Sequence, residues 1–324
     1  MIYGANGYTG RLIANQARKE GLKPVLAGRN PESIAALAAE TGFESTVFAL
    51  EDTQALLKAL KDVAVVLHCA GPFSATSQPM IEACLKTGTH YLDITGEISV
   101  FSNAYRLSDA ARRVDTVLMP GVGFDVVPTD CLAATLVKAL PSATKLRLAF
   151  EAGGQVSPGT AKTSIEGLAG GGCVRKEGKL KWVPLAWKTR EIRFRHGKRL
   201  AVTVPWGDVF TAYISTGVPD IEVYVSAPPS AILRMKRLRM VKPLLSMQWV
   251  QNMMKRRIEQ TISGPEVCER TNAQMQIWGK VSTEDGRSVS ATMTTPDGYN
   301  VTVAASMAIL KHLLDNYVEG GFYT

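Results

Sequence analysis

A glycine-rich turn at the start of the chain places the strongest constraint on its fold. Ile2 and Tyr3 favour a β-strand and run directly into three glycines spaced three apart, Gly4, Gly7 and Gly10. In a strand–turn–helix unit the first glycine permits the tight turn, the second lets the backbone approach a pyrophosphate, and the third allows close packing of the helix on the sheet. The helix N-terminus then presents unpaired N–H groups to the phosphates. The pattern predicts a dinucleotide-binding turn, although glycine triplets also occur in turns that bind nothing.

The segments that follow repeat the same unit. A periodic apolar helix after Gly10 leads to a short apolar strand at 24–28, which completes a first βαβ unit. The stretch 63–69 is apolar throughout, as in a strand buried within a parallel sheet. Further elements are predicted as helices at 31–41, 53–61, 78–86 and 100–112 and as strands at 45–50, 90–94 and 116–119. We expect residues 1–130 to form a Rossmann-type NAD(P)-binding domain.

The pattern changes from about residue 145 to longer alternating strands and hairpins. An Asp285-Gly286 turn between two alternating stretches predicts an antiparallel hairpin. The predicted fold class is therefore α/β, with an N-terminal Rossmann-type doubly wound parallel sheet followed by an α+β domain with a mostly antiparallel sheet. We expect this substrate and dimerisation domain to span 131–302, and a C-terminal helix at about 303–324 to pack back on the first domain.

Three strand ends supply the predicted cofactor contacts. The second strand ends at Gly28 and is followed by Arg29, where NAD-dependent enzymes place an acidic residue that holds the ribose hydroxyls. A guanidinium there can pair with a 2′-phosphate, so the sequence favours NADP; NAD is the alternative if Arg29 only caps an exposed strand end. The corner after the fourth strand is expected beside the ribose or nicotinamide, unless it is a Gly-Pro turn without ligand contact. The predicted cofactor residues are Gly4, Asn6, Gly7, Tyr8, Thr9, Gly10, Gly28, Arg29, Asn30, Ala70, Gly71, Pro72, Phe73 and Ser74.

Candidate catalytic residues accompany the fifth and sixth strands. Tyr91 and Glu97 lie in or after the fifth strand, and Asp125 and Asp130 follow the sixth. A carboxylate in an enclosed cleft can donate a proton when desolvation raises its pKa, so the two aspartates are the first candidates. Asp130 also begins a predicted helix, where its charge stabilises the helix without any catalytic role. No tyrosine is followed four residues later by lysine, which excludes the Tyr-x-x-x-Lys chemistry of short-chain dehydrogenases.

Composition limits the other classes of function. The 324 residues are 46% hydrophobic and 20% charged, as in a soluble globular protein with room for two domains. The five cysteines form no Cys-x-x-Cys pair and the four histidines lack metal-ligand spacing, so we expect no metal site and a reducing, cytoplasmic location. The sequence shows no signal peptide and no apolar run long enough to span a bilayer. The first strand is short, so we expect a further piece of chain before it.

One segment alone carries as many cations as the net charge of the chain. Residues 232–258 hold eight Lys and Arg residues and no acid, and the formal net charge is +8. Methionines, leucines and a tryptophan are interspersed with the cations. This composition favours a core helix or dimer surface with a solvated basic face; the alternative is peripheral contact with an anionic membrane surface or an acyl–phosphate ligand. No nucleic-acid recognition motif accompanies the cations, so we expect no nucleic-acid partner.

A second anion site is suggested in the later domain. Residues 157–163, which include Lys162, precede a predicted helix that ends near 170–172. Its first amides and this lysine are suited to hold a substrate carboxylate or phosphate. A plain capped helix with a flexible glycine exit is the alternative.

Five short motifs lie within the first 130 residues: YGANGYTG at 3–10, AGR at 27–29, CAGPF at 69–73, HYLDITGE at 90–97 and GFDVVPTD at 123–130. Together they resemble the saccharopine dehydrogenase-like oxidoreductases, a group that includes proteins called trans-acting enoyl reductases. Beyond residue 130 the resemblance is looser and rests on GTA at 159–161 and TPDGY at 295–299.

This resemblance implies a Rossmann-type domain followed by an α+β domain that supplies the substrate pocket and the contacts of a homodimer. It implies NADP-dependent hydride transfer to or from a carbonyl, imine or enoyl compound held between the domains. The basic residues that bind the tricarboxylate substrate of true saccharopine dehydrogenases are not matched one by one, which argues against a role in lysine metabolism. The expected partner is a small-molecule substrate of acyl or anionic character. Relatives usually continue past Thr324, so a further segment is expected there. A non-catalytic NADP-binding sensor or accessory protein, associated with a membrane surface, is the alternative, because no unmistakable acid–base pair is present.

Overall fold

The computed structural model describes residues 1–151, 156–241, 247–262, 264–265, 270 and 273–324. The chain divides into two compact units. Unit 1 combines Met1–Phe124 with Tyr299–Thr324, and unit 2 is Asp125–Gly298. Unit 1 is therefore built from both ends of the sequence.

Unit 1 is organised around a parallel sheet. Its strands are β1 (Ile2–Tyr3), β2 (Leu26–Gly28), β3 (Ser45–Val47), β4 (Val65–His68), β5 (His90–Asp93), β6 (Val117–Met119) and β15 (Gly321–Phe322). They form a seven-stranded sheet in the order β15-β6-β5-β4-β1-β2-β3, and each neighbouring pair is parallel. The strands β2 and β3 lie on one side of β1, and β4, β5 and β6 follow on its other side. The predicted doubly wound sheet is therefore confirmed.

Helices connect these strands. They are α1 (Tyr8–Lys19), α2 (Pro31–Thr41), α3 (Thr53–Leu60), α4 (Phe73–Thr87), α5 (Ile98–Arg106), α6 (Ser108–Arg113) and α12 (Gly298–Asp315). Local signals fix several of their ends. In α2, for example, the Asn30 side chain accepts from the Ser33 amide at 2.9 Å, Pro31 occupies the first turn, and Gly42 ends the helix with a φ of 76°.

Two predicted helices differ from the observed ones. The helix predicted at 78–86 begins earlier, at Phe73, because the Glu97 carboxylate binds the first amides of α4. The helix predicted at 100–112 is divided into α5 and α6. Leu107 closes α5 with a tight turn in which its amide donates to the Ala104 carbonyl at 3.0 Å, and a new helix begins at Ser108.

The core of unit 1 lies between the sheet and its helices. This core includes Val65 and Leu67 of β4 and Ile13 of α1. Met307 and Leu313 of α12, from the other end of the chain, are buried in the same core. The C-terminal strand β15 adds to the sheet beside β6. No strand is predicted there, since two residues are too few for a periodic signal.

Unit 2 contains a mixed sheet. Its strands are β7 (Lys145–Glu151), β8 (Gly172–Lys176), β9 (Lys179–Val183), β10 (Thr189–Phe194), β11 (Gly197–Thr203), β12 (Asp220–Ser226), β13 (Gln274–Ser282) and β14 (Ser288–Pro296). The main path is β10-β11-β12-β7-β13-β14, and the β8–β9 hairpin joins at β12. Within the described residues only β12 and β7 pair in parallel, so the predicted mostly antiparallel sheet is confirmed.

The described part of unit 2 also contains helices. They are α7 (Val127–Ala139), α8 (Pro158–Gly170), α9 (Asp208–Thr216), α10 (Pro229–Leu238) and α11 (Gln248–Thr261), with a 3-10 turn at Arg239–Val241. Gly279 of β13 lets α7 approach closely, since a Cβ there would lie 2.6 Å from Leu136 Cδ1. Among the described residues, no helix has both the length and the apolar character required to cross a membrane.

Candidate functional site

The predicted cofactor segments after β1 and β4 lie in direct contact. Both strands run in the same direction and are neighbours, so their carboxyl ends meet at one edge of the sheet. Gly4 adopts a φ of 76°, and a Cβ on it would lie 2.7 Å from the Ala70 amide nitrogen. This edge lies where the order of strands reverses, between β1 and β4, which is the place where open α/β sheets bind ligands.

The glycine turn leaves no space for side chains. A Cβ on Gly10 would lie only 2.4 Å from the Gly4 carbonyl oxygen, and one on Gly7 would lie 3.2 Å from the same atom. Gly7 is exposed and caps α1, whose first turn contains no acidic residue. The amino end of α1 therefore provides a positive helix dipole beside a close-packed backbone, a combination suited to phosphate.

The other predicted residues of this turn pack around it. A Cβ on Gly28 would lie 2.9 Å from Asn6 Oδ1, so the Asn6 side chain covers the end of β2. The Tyr8 ring meets the ring of Tyr299 edge-on, with centroids 4.9 Å apart. Thr9 is half-buried in the first turn of α1. The turn is thus linked to both ends of the chain.

Arg29 and Asn30 follow β2 and are exposed. Asn30 has a structural role, since its side chain caps α2. Arg29 comes directly before this cap, at the carboxyl end of the strand beside β1. Its guanidinium is therefore accessible at the sheet edge where the adenosine end of a dinucleotide is expected.

The corner after β4 is anchored by Glu97. The Gly71–Pro72 peptide is cis, and α4 begins at the next residue, Phe73. Glu97 Oε1 accepts from the Phe73 amide at 2.9 Å, and Oε2 accepts from the Ser74 amide at 2.7 Å. These amides therefore already bind a carboxylate. The structure gives Glu97 an anchoring role at this corner; its predicted catalytic role stays a prediction.

Tyr91 lies beneath the site rather than on its surface. It is fully buried, and its hydroxyl donates to Asp93 Oδ2 at 2.6 Å. Asp93 Oδ1 accepts from the amides of Thr95 and Gly121, both at 2.9 Å, which ties the loops after β5 and β6 together. Burial raises the pKa of Asp93 to about 6. Tyr91 therefore supports Asp93, a residue that sequence reasoning did not select.

His68 is a second residue that sequence reasoning missed. It ends β4, is fully buried, and its Nε2 lies 3.0 Å from the Thr76 hydroxyl. Burial lowers its pKa to about 3, so the imidazole is neutral at physiological pH. Its ring meets Phe73 edge-on at 5.4 Å. Within an apolar strand a histidine gives no signal of its own, and only its pairing with Asp93 across β4 and β5 marks it.

Unit 2 brings together three carboxyl groups. Asp125 and Asp130 were predicted from the sequence, and Asp208 was not. Burial raises the pKa of Asp125 to about 7. The pKa of the fully buried Asp208 is raised well above its usual value, first by burial and then by the nearby charges of Asp130 and Asp125. The structure thus groups residues that lie about eighty positions apart in sequence.

Neighbouring groups fix these carboxyls in place. The Ser215 hydroxyl donates to Asp130 Oδ2 at 2.6 Å, and the Trp206 indole donates to the Asp125 main-chain carbonyl at 2.8 Å. Asp130 and Asp208 both stand in the first turn of a helix, α7 and α9 respectively. The helix dipoles favour the charged forms of these two carboxyl groups, whereas burial disfavours the charged forms. Asp125 keeps a partly accessible surface, so it is the member best suited to exchange a proton.

Two further predicted segments lie in unit 2. Ser157 caps α8 by accepting from the Thr160 amide at 3.3 Å, and Lys162 lies half-buried in that helix, so an anion site there stays a prediction. The cationic segment 232–258 includes parts of α10 and α11, but its residues 242–246 lie outside the described residues. In the described part of the chain no three His, Cys, Asp or Glu side chains are placed to hold a metal.

Comparison with known proteins identifies the first domain. Residues 1–118 match the family model of the saccharopine dehydrogenase NADP binding domain. The chain is 26% identical to a bovine (Bos taurus) saccharopine dehydrogenase-like oxidoreductase over 40% of this chain and 35% of that protein. It is 32% identical to a Mycobacterium bovis trans-acting enoyl reductase over 40% of this chain and 33% of that protein. These alignments cover only about a third of either relative's length.

Solved structures extend the similarity of fold to the whole chain. Apo saccharopine dehydrogenase (L-Glu forming) from Saccharomyces cerevisiae aligns with a TM-score of 0.67 over 99% of this chain and 92% of that one, at 12% identity. The Legionella pneumophila homospermidine synthase, solved in complex with NAD, aligns with a TM-score of 0.65 over 99% of this chain and 84% of that one, at 9% identity. At such identities the matches show the fold. The cytoplasmic location and the homodimer stay predictions.

The motifs, the sheet order and the family match agree on one assignment. The predicted resemblance is confirmed, and so is the predicted nicotinamide dinucleotide cofactor at the level of the domain. Residues 1–118 therefore match the saccharopine dehydrogenase NADP binding domain, within a chain whose fold is similar to that of saccharopine dehydrogenase.

Proposed function

We propose that the protein is an NADP-dependent oxidoreductase that transfers a hydride to or from a carbonyl, imine or enoyl compound. The observation that carries this proposal is the match of residues 1–118 to an NADP-binding domain, together with a glycine turn built for close backbone approach. The curated relatives are named as oxidoreductases and enoyl reductases, which supports the same class of reaction. The nicotinamide, when bound, would donate the hydride as NADPH or accept it as NADP+, according to the direction of the reaction.

The residues of the sheet edge fit this cofactor. Gly4 and Gly10 have no room for a Cβ, and Gly7 is exposed at the amino end of α1, as a pyrophosphate requires. Arg29 is exposed at the end of β2 and would pair with a 2′-phosphate. The small residues Ala70 and Gly71 beside Gly4 would leave space for the nicotinamide half.

Asp125 is our proposed proton donor. Burial raises its pKa to about 7, so a substantial fraction of its carboxyl group carries a proton at neutral pH. It keeps accessible surface, whereas Asp208 has none. A general acid is most effective when its pKa lies near the working pH.

The substrate is proposed to be an acyl or anionic small molecule. The amino end of α8, with Ser157 as its cap and Lys162 in its first turns, provides donors and a positive charge within unit 2. The enoyl reductase name of the mycobacterial relative points to acyl compounds.

The first experiment measures cofactor binding. Purified protein is titrated with NADPH and with NADH, following the fluorescence of the bound nicotinamide, for the wild type, Arg29→Ala and Arg113→Ala. Arg113 is an exposed arginine on α6 and serves as the matched control. Loss of charge-assisted hydrogen bonds worth about 1.5–3 kcal/mol should weaken NADPH binding roughly 10- to 150-fold in Arg29→Ala and leave NADH binding unchanged.

The outcomes separate cofactor choice from function. Equal NADPH and NADH affinities that Arg29→Ala does not change would contradict the role of Arg29. Absence of binding by either nucleotide to the folded wild type would overturn the oxidoreductase proposal. Binding followed by NADPH oxidation in a screen of enoyl and keto acyl compounds would support it.

A further inference from the structure

The helix α10 exposes a stripe of apolar and cationic side chains. Leu233, Arg237 and Met240 follow at intervals of four and three residues, so they fall on one side of the helix and the 3-10 turn that continues it. Leu233 is 49% exposed and Met240 is 84% exposed. Arg234 and Lys236 are exposed in the same helix, which contains no acidic residue.

The opposite side of α10 is already packed. Ile232 is buried in a cluster with Ala186 and Val202. In the 3-10 turn that follows, the guanidinium of the partly exposed Arg239 donates to the main-chain carbonyls of Leu185 and Ala186, both at 2.6 Å. These contacts fix α10 on unit 2 by its inner side. The exposed stripe therefore contributes little to the core and is available for another partner.

The helix α11 repeats the arrangement. Trp249, Met253 and Arg256 are spaced four and three residues apart and are exposed, Trp249 by 62% and Met253 by 58%. Val250 is only 6% exposed, which marks the inward side of the helix. An exposed tryptophan and methionine beside arginine are unusual for a surface that faces only water.

A third exposed group adjoins the residues that hold α10. Trp187 follows Ala186 directly and is 38% exposed. The Lys188 Nζ lies 4.2 Å from the centroid of the Trp187 ring. The same Nζ also pairs with Glu222 Oε1 at 2.5 Å, so Trp187 is the member of this pair that adds to the exposed apolar surface. It lies in the loop between β9 and β10, about fifty residues away from α10 in sequence.

We propose that the exposed stripes of α10 and α11, together with Trp187, bind an anionic phospholipid membrane. Tryptophan, leucine and methionine enter the boundary between headgroups and acyl chains, and arginine and lysine bind the anionic headgroups around them. A second copy of the chain fits less well, because the described exposed charges of α10 are all positive and a symmetric pairing would oppose like charges. The inference is independent of the proposed oxidoreductase function.

The test uses the full chain with two kinds of vesicle. Binding is measured by flotation with vesicles of phosphatidylcholine alone and with an equal mixture of phosphatidylglycerol and phosphatidylcholine, each at low and high salt. We compare the wild type with Arg234→Gln/Arg237→Gln and with Trp249→Ser/Met253→Ser. The control is Lys58→Gln/Lys61→Gln, which removes two exposed cations from unit 1. Thermal unfolding verifies that each variant is folded.

We expect the wild type to bind the anionic vesicles at low salt and to be released at high salt. At about 1 kcal/mol for each cation near an anionic surface, the double arginine variant should bind roughly 30-fold more weakly. The Trp249→Ser/Met253→Ser variant should also bind more weakly, and the control should match the wild type. Equal binding by all four proteins, no binding to anionic vesicles at low salt, or loss of a dimer in the two test variants would overturn the proposal.

Discussion

Gly10 stands where the turn after β1 has no room for a side chain. The Gly4 carbonyl and the Ala5 Cα would lie 2.4 and 2.8 Å from its Cβ, and both belong to the backbone. Such contacts can be relieved only if the turn itself moves. At the residue scale, the turn therefore requires a residue without a Cβ at position 10.

The first prediction concerns this glycine. Gly10→Ala should displace the turn and lower NADPH affinity at least tenfold, with a loss of about 1–3 kcal/mol in the free energy of unfolding. Gly167→Ala is the control, because no atom lies within 4 Å of its Cβ and alanine favours a helix. Isothermal titration and denaturant unfolding measure the two effects. Unchanged NADPH affinity in Gly10→Ala would contradict the assigned cofactor turn.

The second prediction concerns the buried carboxyl of Asp208. Because its pKa is raised in the folded protein, the folded state holds a proton that the unfolded state loses above its ordinary pKa. The free energy of unfolding should therefore fall as the pH rises from about 4, by at most about 1.4 kcal/mol per pH unit for this group. Asp208→Asn cannot ionise and should show a shallower fall.

The control for Asp208 is Asp62→Asn, which removes an exposed carboxyl from unit 1. Urea unfolding at a series of pH values gives the slope for the three proteins. Asp62→Asn should follow the wild type. If Asp208→Asn also followed it, the buried carboxyl would not be protonated in the folded state.

At the scale of elements, the start of α4 depends on a residue from another strand and loop. Glu97 follows β5 and binds the amides of Phe73 and Ser74, so it performs for α4 the task that a capping residue usually performs locally. This explains why the sequence pattern placed the start of the helix too late. The corner after β4 is consequently held by two neighbouring strands together.

The third prediction tests this long-range cap. Glu97→Ala should lower the free energy of unfolding by about 1–2 kcal/mol, because two amides lose a carboxylate acceptor. Asp109→Ala is the control, since its carboxylate contacts Arg112 on the exposed side of α6 and not a cap. Hydrogen exchange should show faster exchange confined to the first turn of α4. Unchanged protection of Phe73 and Ser74 would contradict the capping role.

At the scale of the whole molecule, the two ends of the chain complete one unit. Residues of α12 are buried in the core of the Rossmann-type sheet, and β15 extends that sheet beside β6. Gly320 permits the approach, since a Cβ on it would lie 2.6 Å from the Thr116 amide nitrogen. Cofactor binding should therefore depend on residues about three hundred positions away from the glycine turn.

The fourth prediction follows from this closure. Met307→Ala removes a side chain that is 2% exposed and should cost about 2–5 kcal/mol of unfolding free energy. Leu314→Ala, on the same helix and 50% exposed, should cost less than about 0.5 kcal/mol. NADPH should raise the unfolding midpoint of both variants, because it binds the folded state. Similar losses in the two variants would contradict the assigned packing.

The local sequence determined those elements whose defining residues are close together along the chain. The glycine turn, the apolar strand β4 and the first turn of α2 follow from steric limits, burial and hydrogen bonding among near neighbours. The repeated alternation of strands with helices predicts a parallel sheet, but it does not determine the order of the strands. The tertiary structure alone decided which distant groups meet. It brought the Glu97 carboxylate to the first amides of α4 and the Asp93 carboxylate to the amides of two loops. It also brought Asp208 close enough to Asp125 for their charges to interact, and it paired β15 with β6. The physical reason is that burial, pKa and long-range hydrogen bonds depend on separations in space, which periodicity along the chain does not encode.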